Sequence, residues 1–147
     1  MVAAVLIATF FGGIFELNAV CLRYVAAGKE SIAAIAAVND RAETLRNLAF
    51  RDLTDSTLVA TMLANPANAS VYAGRATEVV KISAFPTPNG ATQFTRSASG
   101  TVTTNSVAPS LGATLVQIDV STTWKAVFGG RERSEKVTTI ISNGTKK

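Results

Sequence analysis

The chain opens on an apolar run, Met1 to Leu22, in which Glu16 is the one charged residue. Proline does not occur before Pro66, so no pyrrolidine ring breaks a helix in this stretch. The run can therefore continue directly into Arg23 to Phe50, which is helical by pattern. A helix that is apolar at its start and amphipathic further on is not stable dissolved alone in water. Its surface needs a bilayer or other copies of itself.

Three origins for Met1 to Leu22 compete. A cleaved secretory signal carries a positive segment before its apolar core, yet no Lys or Arg precedes Arg23. A simple membrane span needs about 20 apolar residues. The run is just long enough, but Glu16 and Asn18 intrude and Gly12-Gly13 weakens the helix at mid-span. The third is a helix that starts in the membrane and later packs among identical helices. Ala3, Ala4, Ala8, Gly12 and Gly13 would then allow close approach.

From Leu17 to Ala49, the residues Leu17, Cys21, Tyr24, Gly28, Ile32, Ile35, Val38, Ala42, Leu45 and Ala49 recur at steps of three and four. They define one stripe, rich in Ala and Gly, that suits packing on a sheet. A helix from Val2 to Ala49 would be roughly 70 Å long at ~1.5 Å per residue. A domain of 147 residues cannot cover that length, so the first half must protrude. The expected division is 1–22 as membrane anchor or filament core, 23–50 as the amphipathic continuation, and 51–147 as a β-rich head.

Asp52 to Ser56 holds several helix-capping residue types, and Thr57 to Ala64 can form a short helix ended by Asn65-Pro66. Thr77 to Phe85 and Ala91 to Ser97 read as strands around the turn residues Pro86, Pro88 and Asn89-Gly90. Ser99 to Gly112 lacks periodicity and reads as a loop or irregular edge. The clearest strand follows: Val116, Ile118, Val120, Thr122, Trp124, Ala126 and Phe128 alternate with Gln117, Asp119, Ser121, Thr123 and Lys125. Gly129-Gly130 supplies a hairpin turn, and Arg131 to Ser142 returns as the partner strand. The fold expected is α+β, with an antiparallel sheet of about four strands on the second half of the long helix. Val116, Ile118, Val120, Trp124 and Phe128 are the expected head core, with Trp124 as its anchor.

Catalysis lacks its usual parts. The chain has no His and one Cys. That leaves no Ser–His or Cys–His pair, no imidazole ligand and no internal disulfide. Cys21 in the apolar helix reads as a small hydrophobe. No phosphate-binding glycine loop follows a strand, and the acidic residues show no calcium-loop spacing. Asp40, Arg41, Glu43 and Arg46 fit local helix pairing or contacts between subunits. Asn68-Ala-Ser70 and Asn143-Gly-Thr145 match the short, common glycosylation sequon. We expect no enzyme, cofactor or metal. The net charge is +4. Lys125, Arg131, Arg133, Lys136, Lys146 and Lys147 contribute near the C-terminus, interleaved with Glu132 and Glu135. This reads as a solvated hairpin or a weak polyanion-binding face.

The run Met1-Val-Ala-Ala-Val-Leu-Ile-Ala, continued by an unbroken helix to Arg41-Ala-Glu-Thr-Leu-Arg46-Asn-Leu, resembles the N-terminal region of type IV pilins and type II secretion pseudopilins. Val116 to Trp124, the Gly-Gly turn and Arg133 to Ile141 look like the C-terminal hairpin of minor-pilin members. That family's mature chain begins with Phe and has Glu at its fifth position, where this sequence has Val5. Matching the apolar pattern would put about six further residues, the Phe and the Glu among them, upstream of Met1. The family's kinking Pro is missing too, and Gly12-Gly13 would loosen the helix in its place.

The resemblance implies a structural subunit of a pilus-like extracellular filament. The helix would be held in the inner membrane of a Gram-negative-type envelope and then be buried in a filament core. Val5, Leu6, Phe10, Phe11, Ile14, Phe15, Glu16 and Leu17 would form that core, and Arg23 of a neighbour is a candidate partner for Glu16. The implied partners are further copies of the chain, other pilin-like subunits and the assembly machinery. The alternatives are a minor pseudopilin of a secretion system and a membrane-anchored binding module. The latter would bind DNA or a surface through Ser97 to Gly112 or the basic hairpin.

Overall fold

A computed structural model describes residues 2–68, 70–112 and 114–144. Met1, Thr145 of the second sequon, and Lys146 and Lys147 lie outside the described residues.

Helix α1 runs unbroken over Val2–Arg46. It passes through Gly12 and Gly13, each costing roughly 1 kcal/mol relative to Ala. Its end tightens, with Asn47 N–H donating to both Glu43 O (2.9 Å) and Thr44 O (3.2 Å). Ala49 then turns extended. A five-residue helix α2, Phe50–Thr54, occupies a stretch in which the sequence pattern marks only capping residues. Helix α3, Ser56–Leu63, starts at Asp55, whose carboxylate accepts from Thr57 N–H (2.9 Å) and Leu58 N–H (3.2 Å). A cap of this kind contributes about 1 kcal/mol.

After a 3₁₀ turn at Val71–Gly74 come strands β1 (Ala76–Ala84), β2 (Ala91–Arg96), β3 (Val102–Ser106), β4 (Leu115–Lys125) and β5 (Glu132–Ser142). They form one antiparallel sheet in the order β3-β2-β1-β4-β5. The fold is α+β, and the sheet has five strands where about four are expected. The addition is β3, an edge strand of Val, Thr, Asn and Ser without apolar alternation. Its polar side chains pair instead, as Thr95 Oγ1 donates to Asn105 Oδ1 at 2.6 Å.

Val116, Ile118 and Val120 of β4 are fully buried, together with Val80 and Ile82 of β1 and Phe94 of β2. Against them pack Val38, Ala42 and Leu45 of α1, Leu53, and Val59 and Leu63 of α3. Each of the Val, Ile, Leu and Phe side chains among them contributes roughly 1.5–3 kcal/mol on burial. A second cluster joins Trp124 to Ala34, Tyr72 and Ala76. Tyr72 meets Trp124 edge-to-face with ring centroids 5.2 Å apart, and its hydroxyl hydrogen-bonds Thr122 Oγ1 at 2.8 Å. Burial pushes the Tyr72 hydroxyl pKa up, more than the Thr122 bond lowers it.

Two expectations need correction. Phe128 is not in the core but 47% exposed. The alternation of β4 ends at Lys125, Ala126 is the last buried residue before the turn, and Phe128 sits in the hairpin loop beyond the sheet. The helix stripe is also displaced. Tyr24, Ile32 and Ile35 are exposed, while the buried face consists of Glu30, Ala34, Val38, Arg41, Ala42 and Leu45. The two stripes merge at Val38, so steps of three and four cannot separate them. What decides is size: Trp124 needs the small Ala34 opposite it.

Candidate assembly surface

The sheet holds α1 from Glu30 onward, and every described residue before Ala26 is exposed. Val5, Leu6, Phe10, Phe11, Ile14, Phe15, Glu16 and Leu17 are all exposed, with Phe10 at 67% and Phe15 at 70%. Successive residues turn by about 100°, so Phe10, Phe11, Ile14 and Phe15 cover more than one face and the apolar surface wraps the helix. The helix is long and apolar enough to cross a membrane by length and composition.

Within it, polar groups are handled locally. Thr9 Oγ1 donates to the carbonyls of Val5 and Leu6, each at 3.0 Å, so the hydroxyl needs no water. Gly12 and Gly13 have nothing within 4 Å of where a Cβ would stand. They leave a shallow place on the surface. Cys21 is a free, exposed thiol on the same helix. Glu16 and Arg23 are seven residues apart and so share a face, about two turns from one another.

The exposed apolar surface does not stop at Leu22. Tyr24, Val25, Ile32 and Ile35 are exposed too and carry it further along α1.

The buried polar residues of α1 fix the helix on the head, and sequence reading missed both. Arg41 does not pair with Asp40, Glu43 or Arg46. Its Nε donates to Glu78 Oε1 at 2.6 Å, and its Nη2 donates to Glu78 Oε2 (3.1 Å) and Asn65 O (2.6 Å). Glu30 accepts from Arg75 Nη2 at 3.1 Å and from Val127 N–H at 3.4 Å. The available signal was a charged residue at helical spacing from Val38 and Leu45, which marks a buried partner as readily as a solvated one.

The outer face of the sheet carries one organised acidic site. Asp119 accepts from Thr138 Oγ1 (2.6 Å) and Gln117 Nε2 (3.2 Å) and pairs with Lys136 Nζ (3.2 Å). Partial burial pushes its carboxyl pKa up, but these three partners outweigh burial and hold it below the usual carboxylate range. Among the described residues no group of three or more His, Cys, Asp or Glu is placed to hold a metal.

The long apolar helix joined to an antiparallel sheet is compatible with a pilin-like fold. No protein family, curated protein or solved structure matches the chain.

Proposed function

We propose that the chain is a structural subunit of a pilus-like filament, held in the inner membrane by α1 before assembly and packed through α1 afterwards. The observation that carries this reading is a helix apolar on all sides whose first half no described residue of the head covers. Such a helix is stable in lipid or in a bundle of like helices, and assembly exchanges the first environment for the second. The head, fixed to the distal half of α1, would face outward.

In this arrangement Glu16 meets Arg23 of a neighbour. The two share a helix face, so a neighbour displaced by roughly 10 Å along the axis, at about 1.5 Å per residue, brings them opposite each other. Unchanged assembly after Glu16→Gln would reject that pairing.

The test of the function is electron microscopy of material sheared from cells, with mass spectrometry of its subunits. Thin filaments built of this chain are the expected result. A chain that stays in the membrane fraction as a scarce, unpolymerised species would reject the reading.

A further inference from the structure

The end of the head nearest the apolar half of α1 is the β4–β5 hairpin loop. Strand β4 runs antiparallel to the helix. Leu115 shares a cleft with Glu43 and Arg46, Trp124 packs on Ala34, Val127 N–H reaches Glu30, and Phe128 meets Arg23. The loop closes by Ala126 N–H donating to Arg131 O at 2.9 Å. Gly129 and Gly130 make the reversal with φ of 84° and 60°, which a residue with a Cβ rarely adopts. This turn carries two large apolar side chains into solvent, Val127 at 53% and Phe128 at 47% exposed.

Cations surround them. The Arg23 guanidinium lies over the Phe128 ring, 5.6 Å from its centroid. Lys125 and Arg131 flank the loop and are exposed. Arg133 donates to Ser31 Oγ at 3.2 Å, which places it on the same side of the helix. The acids nearby are Glu30, paired with Arg75, and Glu132, opposite Lys125 in the strand register. The local balance is positive.

The depth of this loop follows from where the apolar stretch of α1 ends, at Leu22. Arg23 is the first cation after that span. It therefore sits where a cationic side chain reaches the headgroups. Phe128 touches Arg23, so it lies at the same level.

We infer that the Val127–Phe128 hairpin loop is a second membrane contact, docking the head on a bilayer surface of anionic headgroups while α1 spans the bilayer. The inference rests on the reading of α1 as a membrane anchor before assembly. Two contacts, one apolar span and one apolar loop ringed by Arg23, Lys125, Arg131 and Arg133, hold the head in a fixed orientation on the membrane. Polybasic surroundings of this kind favour anionic lipid, and apolar side chains at the interface add burial. On assembly the loop must leave the lipid, so release of the head accompanies entry into the filament.

The test uses the full chain in vesicles of phosphatidylcholine, with or without one third phosphatidylglycerol. An environment-sensitive fluorophore is placed at Val127→Cys or at Phe11→Cys, each in a Cys21→Ser background, with Trp124 emission as the check that the head is folded. The expected result is a buried Phe11 label in both lipids. The Val127 label should shift to the blue and be quenched by brominated lipid only with phosphatidylglycerol. Combining Lys125→Glu with Arg131→Glu, or raising the salt, should abolish that shift. A Val127 label that stays in water in both lipids, beside a buried Phe11 label, overturns the docking and leaves the anchor intact. Equal insertion in both lipids overturns the role of the cations and with it the proposed surface. A Phe11 label in water removes the anchor itself, and the docking falls with it.

Discussion

Arg41 carries a full charge into a place where its side chain is 3% exposed, and Glu78 opposite is 11% exposed. Both charges lose hydration there, and the two nearly parallel hydrogen bonds between them return part of it. The pair is more a device for position than for net stability, because it ties α1 to β1 and, through Asn65 O, to the end of α3. Removing one member leaves the other charge buried without its hydrogen-bonded partner. Arg41→Met should lower the denaturation free energy by about 3 kcal/mol or more, measured by urea titration in detergent. Arg41→Met combined with Glu78→Met should recover most of that loss. Equal losses in the single and double variants would show that the Asn65 contact, not the ion pair, does the work. Asp119 behaves differently because Lys136, 58% exposed, is well screened. The Asp119 carboxyl titrates below its unfolded value, so the stability it contributes is present above the unfolded pKa, near 4, and is lost as pH falls through the lower folded pKa. Asp119→Asn should therefore cost about 1 kcal/mol or less near neutral pH. It should also flatten the acid limb of the stability curve below about pH 4. An unchanged acid limb would assign that limb to other carboxylates.

At the scale of elements, α1 is ruled by two opposing demands at Gly12 and Gly13. A helix in isolation prefers Ala at both positions by roughly 1 kcal/mol each, and the open space around them leaves room for a Cβ. If packing against neighbours uses the close approach that glycine allows, the same substitutions obstruct it. Gly12→Ala with Gly13→Ala should raise helicity in detergent and reduce filament yield. Filaments in normal amount would mean that the helices do not meet at this point. The elements differ in how openly the sequence declares them. β4 and β5 are plain because one face is buried and one is wet, so the period of two is written into Val116 to Lys125. The short helix α2 and the edge strand β3 are hidden. Too few of their residues are buried to impose a period, and their hydrogen bonds rather than their side chains define them. The length of α1 was legible from its missing prolines. Its orientation was not, because two stripes converge at Val38, and the choice depended on Trp124, far away in the chain. That the first half of α1 stands free of the head was legible from its length, which a domain of this size cannot cover. Phe128 was misplaced although Val127 breaks the alternation just before it and Gly129-Gly130 follow directly, signs that the strand ends at Lys125.

The whole molecule divides into a head that is complete by itself and a helix half that is not. A compact monomer of 15.3 kDa exposes about 7100 Å², whereas this chain exposes 9110 Å². The excess is about 2000 Å², the size of a substantial protein–protein interface, and the protruding half of α1 carries the exposed apolar residues that account for it. The head's burial, in contrast, needs α1 only from about Glu30 to Leu45. Among the described residues, deleting everything before Arg23 removes none that is buried and keeps the Arg23–Phe128 contact. The shortened chain should therefore fold in water without detergent, with a monomeric sedimentation coefficient. Its urea midpoint should match that of the full chain in detergent, while the full chain without detergent or lipid should associate. Cutting further, to begin at Val38, removes Glu30 and Ala34 from beneath Val127 and Trp124 and should unfold the β4–β5 end of the head. A chain beginning at Arg23 that aggregates or lacks a cooperative transition would mean that the head depends on the apolar half. The division of labour between anchor and head would then fail.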